Sequence, residues 1–320
     1  MTTNWSDESG TRWFVSIIAL VLIAPANAQA PQPLLQYAAS LQIENLPGER
    51  FARDHLRASE RRLAAAEPPT THCNLALGAR RYAELFQNLA MANERLGDYR
   101  SANINSEHAV ECAPRDASYL ALHASHLLAL HRYVEARQVV ARGQNMAPDD
   151  FELRALLLRL NLIEEHWTAV MDLADSLVAD DSGDTHWLYW QLLRRVAELR
   201  SGRAPDARLP RKLEPDWPSP LWLLLTDKID QVELVRQLKT AEGEQQLRER
   251  LCEALFYQGE RLLARGDAAG ARLHFAMATR MKILNYVEHD LAQAELTKLR
   301  VTADSGAGLA AATHHVFVAR

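Results

Sequence analysis

Apolar positions recur along most of this chain with the spacing of amphipathic helices, and between Ala83 and Asp150 one pattern is written twice. In the first copy Leu85, Phe86, Leu89, Ala90 and Leu96 fall on one helical face, which predicts a helix buried along that side. Gly97 ends it, because a residue without a Cβ adopts the left-handed conformation at no steric cost. The second helix carries Tyr99, Ala102 and Ala109 before Ala113-Pro114 stops it. Its alanines are small where two helices cross closely. The second copy, Ala117 to Asp150, keeps Tyr133, Ala136 and Pro148 but has His131 in place of Gly97.

Tyr99 to Tyr133, Ala102 to Ala136 and Pro114 to Pro148 are each displaced by 34 residues. That is the period of a tetratricopeptide (TPR) repeat, a helix–turn–helix unit that buries its apolar face by stacking on its neighbours. A third, degenerate unit starts at Phe151, with Trp167 in the position of Tyr133 and Val170 at the crossing. The pattern is then interrupted by Pro205, Pro210, Pro215, Pro218 and Pro220, whose missing donors and fixed φ angles forbid a helix. Trp217 and Trp222 flank the end of that connector and need burial. A short helical region follows from Ile229 to Leu238. The pattern returns at Cys252, with Gly259, Gly266, Ala271, Phe275 and Ala278 at the small or aromatic positions of the repeat.

The expected architecture is an all-α TPR solenoid. Residues 1–28 read as a signal peptide, 29–82 as an N-terminal helical cap with Phe51, His55, Leu56 and Leu63 on its apolar side, and 83–184 as TPR repeats. Residues 185–251 read as helices with the proline-rich connector, 252–300 as a C-terminal TPR with a capping helix from Tyr286 to Arg300, and 301–320 as a disordered tail.

The apolar run Trp13–Ala24 is too short for a bilayer, which needs ~20 residues. Followed by Ala26, Ala28 and Ala30, it has the form of a secretory signal, although Asp7 and Glu8 outweigh Arg12. The mature chain is expected in the periplasm, with no integral membrane span. No cysteine follows the run before Cys73, so a lipid anchor is not supported. In an oxidising compartment Cys73 and Cys112 could pair, closing about a 40-residue loop worth ~3–4 kcal/mol. The alternative is that all three cysteines are small buried apolar residues.

A net charge of −5 and a pI near 6.2 argue against nucleic acid or an anionic membrane as the main ligand. No phosphate loop, zinc-protease motif or nucleophile elbow occurs, so no catalytic residue, metal or cofactor is expected. His123 and His126 have ligand spacing, but no acid or cysteine accompanies them on their helix. Glu164-Glu165-His166 and Glu288-His289-Asp290 set acids beside a base, yet neighbouring helical residues diverge and form no triad. Glu288 reads as first-turn charge on the last helix.

The C-terminal half, from about His186 to Leu299, resembles the periplasm-facing TPR lipoproteins of the NlpI family of Gram-negative bacteria. The resemblance is carried by Trp187-Leu188-Tyr189, Trp217, Phe256-Tyr257-x-Gly259, Gly266-Asp267, Ala271, Phe275 and Ala278. Asn285-Tyr286-Val287-Glu288-His289, Ala292 and Glu295-Leu296 complete it. It implies a homodimeric adaptor that brings peptidoglycan hydrolases together with a processing protease. The lipid-attachment cysteine of that family is missing here, and the N-terminal repeats match it only as generic TPR.

In TPR folds the first helix of each unit lines a concave groove. The period places Gln87, Asn88, Met91, Glu94 and Arg95 there from the first unit, Ser125 from the second and Arg159 from the third. Their mixed polarity suits an extended peptide or a partner helix. The function expected is a non-catalytic adaptor binding proteins or peptides of the cell envelope. The alternatives are an assembly factor for a secretion or polysaccharide-export machine, and a cytosolic chaperone-type module.

Overall fold

A computed structural model describes residues 32–41, 43, 46, 48–66, 73, 79–180, 186–203, 213–284 and 286–316, with the backbone alone at 180 and 302–316. The expected signal peptide lies outside the described residues, as does the connector over 204–212. Regular structure among the described residues is entirely helical, so the chain is all-α. None of the described helices is long and apolar enough to cross a membrane.

Three helix pairs occupy the stretch where the sequence repeats. They are α3 (Ala79–Arg95) with α4 (Tyr99–Cys112), α5 (Ala117–Ala129) with α6 (Tyr133–Gln144), and α7 (Phe151–Ile163) with α8 (Trp167–Asp180). Each helix packs on the one before it and the one after it. Gly97, His131 and Glu165, spaced 34 residues apart in the turns of the three pairs, all have left-handed φ angles, of 75°, 59° and 61°. The amide of the next residue in each case donates back across the helix end: Asp98 to Asn93, Arg132 to Leu127 and His166 to Asn161, at 2.8–3.0 Å. This bond satisfies a carbonyl that the helix would otherwise leave unpaired. Asp98 then caps α4 by accepting from the Ser101 amide at 3.1 Å. Ala102, Ala136 and Val170, also 34 residues apart, are fully buried at the crossings.

The C-terminal half uses helices of uneven length, from 7 to 30 residues. Helix α9 (Trp187–Arg200) follows α8, and α10 (Ser219–Leu225) emerges from the connector, a helix that the proline count did not predict. Pro220 lies in its first turn, where a missing amide donor costs nothing. Helix α11 (Gln231–Leu238) occupies most of the region expected at Ile229–Leu238. The first helix of the last unit, α12 (Gly243–Ala264), starts well before Cys252 and pairs with α13 (Ala268–Arg280) through a turn at Gly266, φ 80°. Gly259 of α12 lets the Phe275 ring of α13 approach its backbone, and Phe275, Ala271 and Ala278 are fully buried.

Two elements lie where the sequence did not place them. Helix α1 (Pro33–Ala39) does not cap the first repeat. It packs on α11, α12 and α13, with Leu34 fully buried and Lys239 over the Tyr37 ring at 5.6 Å. Only α2 (Glu49–Ala65) stacks on α3, and it does so through the stripe Ala52, Leu56, Ser59 and Leu63. Phe51, expected on the apolar side, is about 100° off that stripe and 67% exposed. The last helix, α14 (Val287–Val316), continues through the stretch expected to be a disordered tail; 301–316 is alanine-rich and contains no proline to break the helix.

Cys73 and Cys112 are joined by a disulfide that ties the segment before α3 to the end of α4. Cys252 is a free, buried thiol.

Candidate functional site

The expected groove residues sit on consecutive first helices, as the period requires, but they do not form one open surface. Gln87 and Met91 are half-buried. Asn88 folds onto its own helix, donating to the Glu84 carbonyl at 2.8 Å. Ser125 does the same with Leu122 at 2.9 Å. Glu94 faces the buried His126 at 3.8 Å, and His123 meets Ser106 Oγ through Nδ1 at 3.1 Å. Arg159 is the clear departure. Its guanidinium is 14% exposed and pairs with Asp290 of α14 at 2.6 Å, so it belongs to an internal seat and lines no open groove.

That seat is made by the aromatic position of the repeat. Tyr99 donates from its hydroxyl to the Leu284 carbonyl at 2.5 Å. The Tyr133 hydroxyl instead meets His131 Nδ1, in its own turn, at 2.5 Å, and burial pushes its phenol up. Trp167 lies under the Arg200 guanidinium at 5.2 Å, and Arg200 in turn donates to Glu260 at 2.7 Å and Glu295 at 3.3 Å. Glu165, in the left-handed turn, accepts from Arg200 at 3.1 Å and Lys298 at 3.3 Å. Tyr99 directly, and Trp167 through Arg200, thus support the chain's own segment 284–298. The common 34-residue register of these aromatics was visible in the sequence, but what they contact was not.

Beneath α14 lies a sealed polar cluster. Glu253 accepts from Trp217 Nε1 at 2.6 Å and from the Tyr189 hydroxyl at 3.2 Å, and Glu288 accepts from the Tyr257 hydroxyl at 2.9 Å. Burial first, then the neighbouring Glu288, push the Glu253 carboxyl well above the usual range. Glu288 stands in the first turn of α14, as its sequence position suggested, but it is buried and touches no solvent-facing surface. These groups fasten α9, α12, α14 and the connector to one another. No group of three or more His, Cys, Asp and Glu side chains among the described residues converges on a point where a metal could bind.

An open feature lies where α2, the end of α3, the start of α12 and residues 282–284 meet. It is a cleft of ≈ 200 Å³ with Phe51 and Ala52 on one side, Ile283 and Leu284 on another, and Arg95, Gln245 and Glu249 at its polar edge. Arg95 lies over the Phe51 ring at 6.0 Å, and His55 stacks parallel to Phe51 at 6.3 Å. Leu46 and Gly48 are shared with an adjoining recess lined by Arg50, Arg53 and Arg57. Of the groove residues predicted from sequence, Arg95 alone lines this cleft. Phe51 was missed as a surface residue; its offset from the 52-56-59-63 stripe was the available signal.

No protein-family model matches the chain, and no curated protein matches it.

Proposed function

We propose that this chain is a non-catalytic adaptor of TPR type, exported to the periplasm, that holds proteins or peptides of the cell envelope. The observation that carries this reading is the 34-residue register shared by the left-handed turn residues 97, 131 and 165, the aromatics 99, 133 and 167, and the buried crossing residues 102, 136 and 170. A helix pair repeated in this register is how TPR units build a surface for another chain. Export is supported by the signal-like run Trp13–Ala24 and by the Cys73–Cys112 disulfide, since structural disulfides persist in oxidising compartments and are rare in the cytosol. The same disulfide weighs against a cytosolic chaperone module.

The resemblance of 186–299 to the NlpI family gives the adaptor reading its candidate partners, peptidoglycan hydrolases and a processing protease, and a homodimeric state. The test is chemical crosslinking of the exported protein in cells, with mass spectrometry of what it captures, beside fractionation of the chain. Recovery of envelope hydrolases or a protease from the periplasmic fraction is the expected result. A full-length cytoplasmic protein, or crosslinks confined to a secretion or polysaccharide-export machine, would replace this reading.

A further inference from the structure

We propose that the Phe51–Arg95 cleft is a docking site for an extended segment of a partner protein that carries carboxylates beside apolar side chains. The proposal deepens the adaptor reading above and rests on it. Three features point to this ligand class.

The first is Phe51 itself. A phenylalanine with two-thirds of its surface in water gains by being covered; half-buried Leu284 continues the apolar strip, over a floor of buried Ala52 and Ile283. The second is charge. The cleft and its adjoining recess present Arg50, Arg53, Arg57, Arg95 and Lys282 against Glu49, Asp54 and Glu249, a positive excess on a chain whose net charge is −5. Glu49 is taken by Arg53 at 2.6 Å, Asp54 lies 4.0 Å from Arg57, and Glu249 accepts from Gln245 at 3.0 Å. Arg95 and Arg50 have no carboxylate partner among the described residues. An arginine held over an aromatic ring still presents its outer N–H fork, which matches a carboxylate in bidentate geometry.

The third feature is shape. The walls come from α2 on one side and from 282–284 and α12 on the other, so the apolar strip lies between two elements. An extended chain can lie between them, with alternate side chains facing the strip and the arginines. A flat bilayer would meet the rims before it met Ile283 and Leu284, and the interspersed carboxylates disfavour a phosphate backbone.

The test uses the mature full chain and two fluorescein-labelled peptides. One has the sequence Gly-Asp-Leu-Glu-Phe-Asp-Leu-Gly, and the other has lysine at each acidic position; vesicles of phosphatidylglycerol form a third arm. Fluorescence anisotropy at ~50 mM salt should show saturable binding of the acidic peptide and at least tenfold weaker binding of the lysine peptide. Arg95→Glu should weaken the acidic peptide at least tenfold, and Phe51→Ala at least fivefold. Both side chains are exposed, and circular dichroism checks that each variant remains folded. Absence of saturable binding, equal binding of both peptides, or variants that bind like the parent would overturn the proposal. So would vesicle binding lost in the same variants without peptide binding, which would assign the surface to a membrane. If Arg95→Glu still captures the same crosslinked envelope partners while the peptide arm fails, the cleft proposal falls and the adaptor reading stands.

Discussion

At Gly259 a Cβ would stand 2.5 Å from Cε1 of Phe275 and 2.8 Å from its Cδ1, and that ring is fully buried. Alanine is worth ~1 kcal/mol over glycine in a helix, but overpacking a tight core costs ~1–3 kcal/mol. The clash should win, so Gly259→Ala is expected to lower stability by about 1 kcal/mol or more in urea titration, against its helix propensity. Glu260, next in the chain, is titratable in a useful range. Burial first and then Glu295 outweigh the Arg200 guanidinium and push its carboxyl up to about 7 from 4.5. A raised carboxyl favours the protonated form in the folded state. That stability is therefore complete below pH 4.5 and is lost as pH rises through about 7. His123 acts in the opposite sense: burial holds its imidazole down at about 4, so its contribution is present above pH 6.5 and fades as pH falls toward 4. Glu260→Gln keeps the shape and removes the charge. It should flatten the decline between pH 4.5 and 7. Parallel pH profiles for parent and variant would contradict this.

Helix α14 shows how far an element could be read from its sequence. Its start near Tyr286 and its first-turn acids were legible, because caps and periodicity are local. Its seat was not, because nothing local says that Asp290 will meet Arg159 or that Leu284 will receive the Tyr99 hydroxyl. The repeat pairs α3–α8 were legible for the converse reason: their contacts fall within one period. Glu165 hid the turn it makes, since glutamate seldom adopts a left-handed φ. At the seat, Asp290→Ala would leave a guanidinium that is 14% exposed without its carboxylate. Breaking one side of a buried pair costs ~3–5 kcal/mol. With some solvent reaching the site, the expected loss is about 2–3 kcal/mol, with faster amide exchange in the first turns of α14. Adding Arg159→Met should restore part of it, as removing both charges leaves none stranded. The Cys73–Cys112 link acts at the same scale. With a separation of 39 residues it should contribute ~3–4 kcal/mol by the loop-entropy model. Cys112 belongs to the packed group around Phe86, Ala109 and Leu120, so Cys73→Ser with Cys112→Ser should lower the unfolding free energy by that amount and loosen α3 and α4 first. A loss well below 1 kcal/mol, with exchange in α3 and α4 unchanged, would mean that helix packing alone holds this corner.

Across the molecule, the contacts that matter most join residues far apart in sequence. An open helical array touches only its neighbours, so its repeats can open one at a time. This chain closes on itself in three places. Helix α1 docks on α11–α13, α14 rests on α7 and the Tyr99 turn, and the Phe51–Arg95 corner meets 282–284. The bond from Tyr99 to Leu284 spans 185 positions, and that from the Leu34 amide to Gln231 spans 197. Opening α3–α4 therefore releases Leu284, opening α7 strands Asp290 of α14, and releasing α1 uncovers part of α11–α13. The consequence is cooperative unfolding. Native-state hydrogen exchange read by mass spectrometry should give peptides from α3–α4 and α12–α13 the same opening free energy as denaturant is raised. Leu34→Ala tests the coupling directly. Truncating a fully buried leucine costs ~2–5 kcal/mol, and if the closure is real that loss should appear in α3–α4, where Leu34 makes no contact, as well as in α11–α13. A loss confined to the C-terminal helices would show instead that the two halves open independently and that the closing contacts are too weak to bind them into one unit.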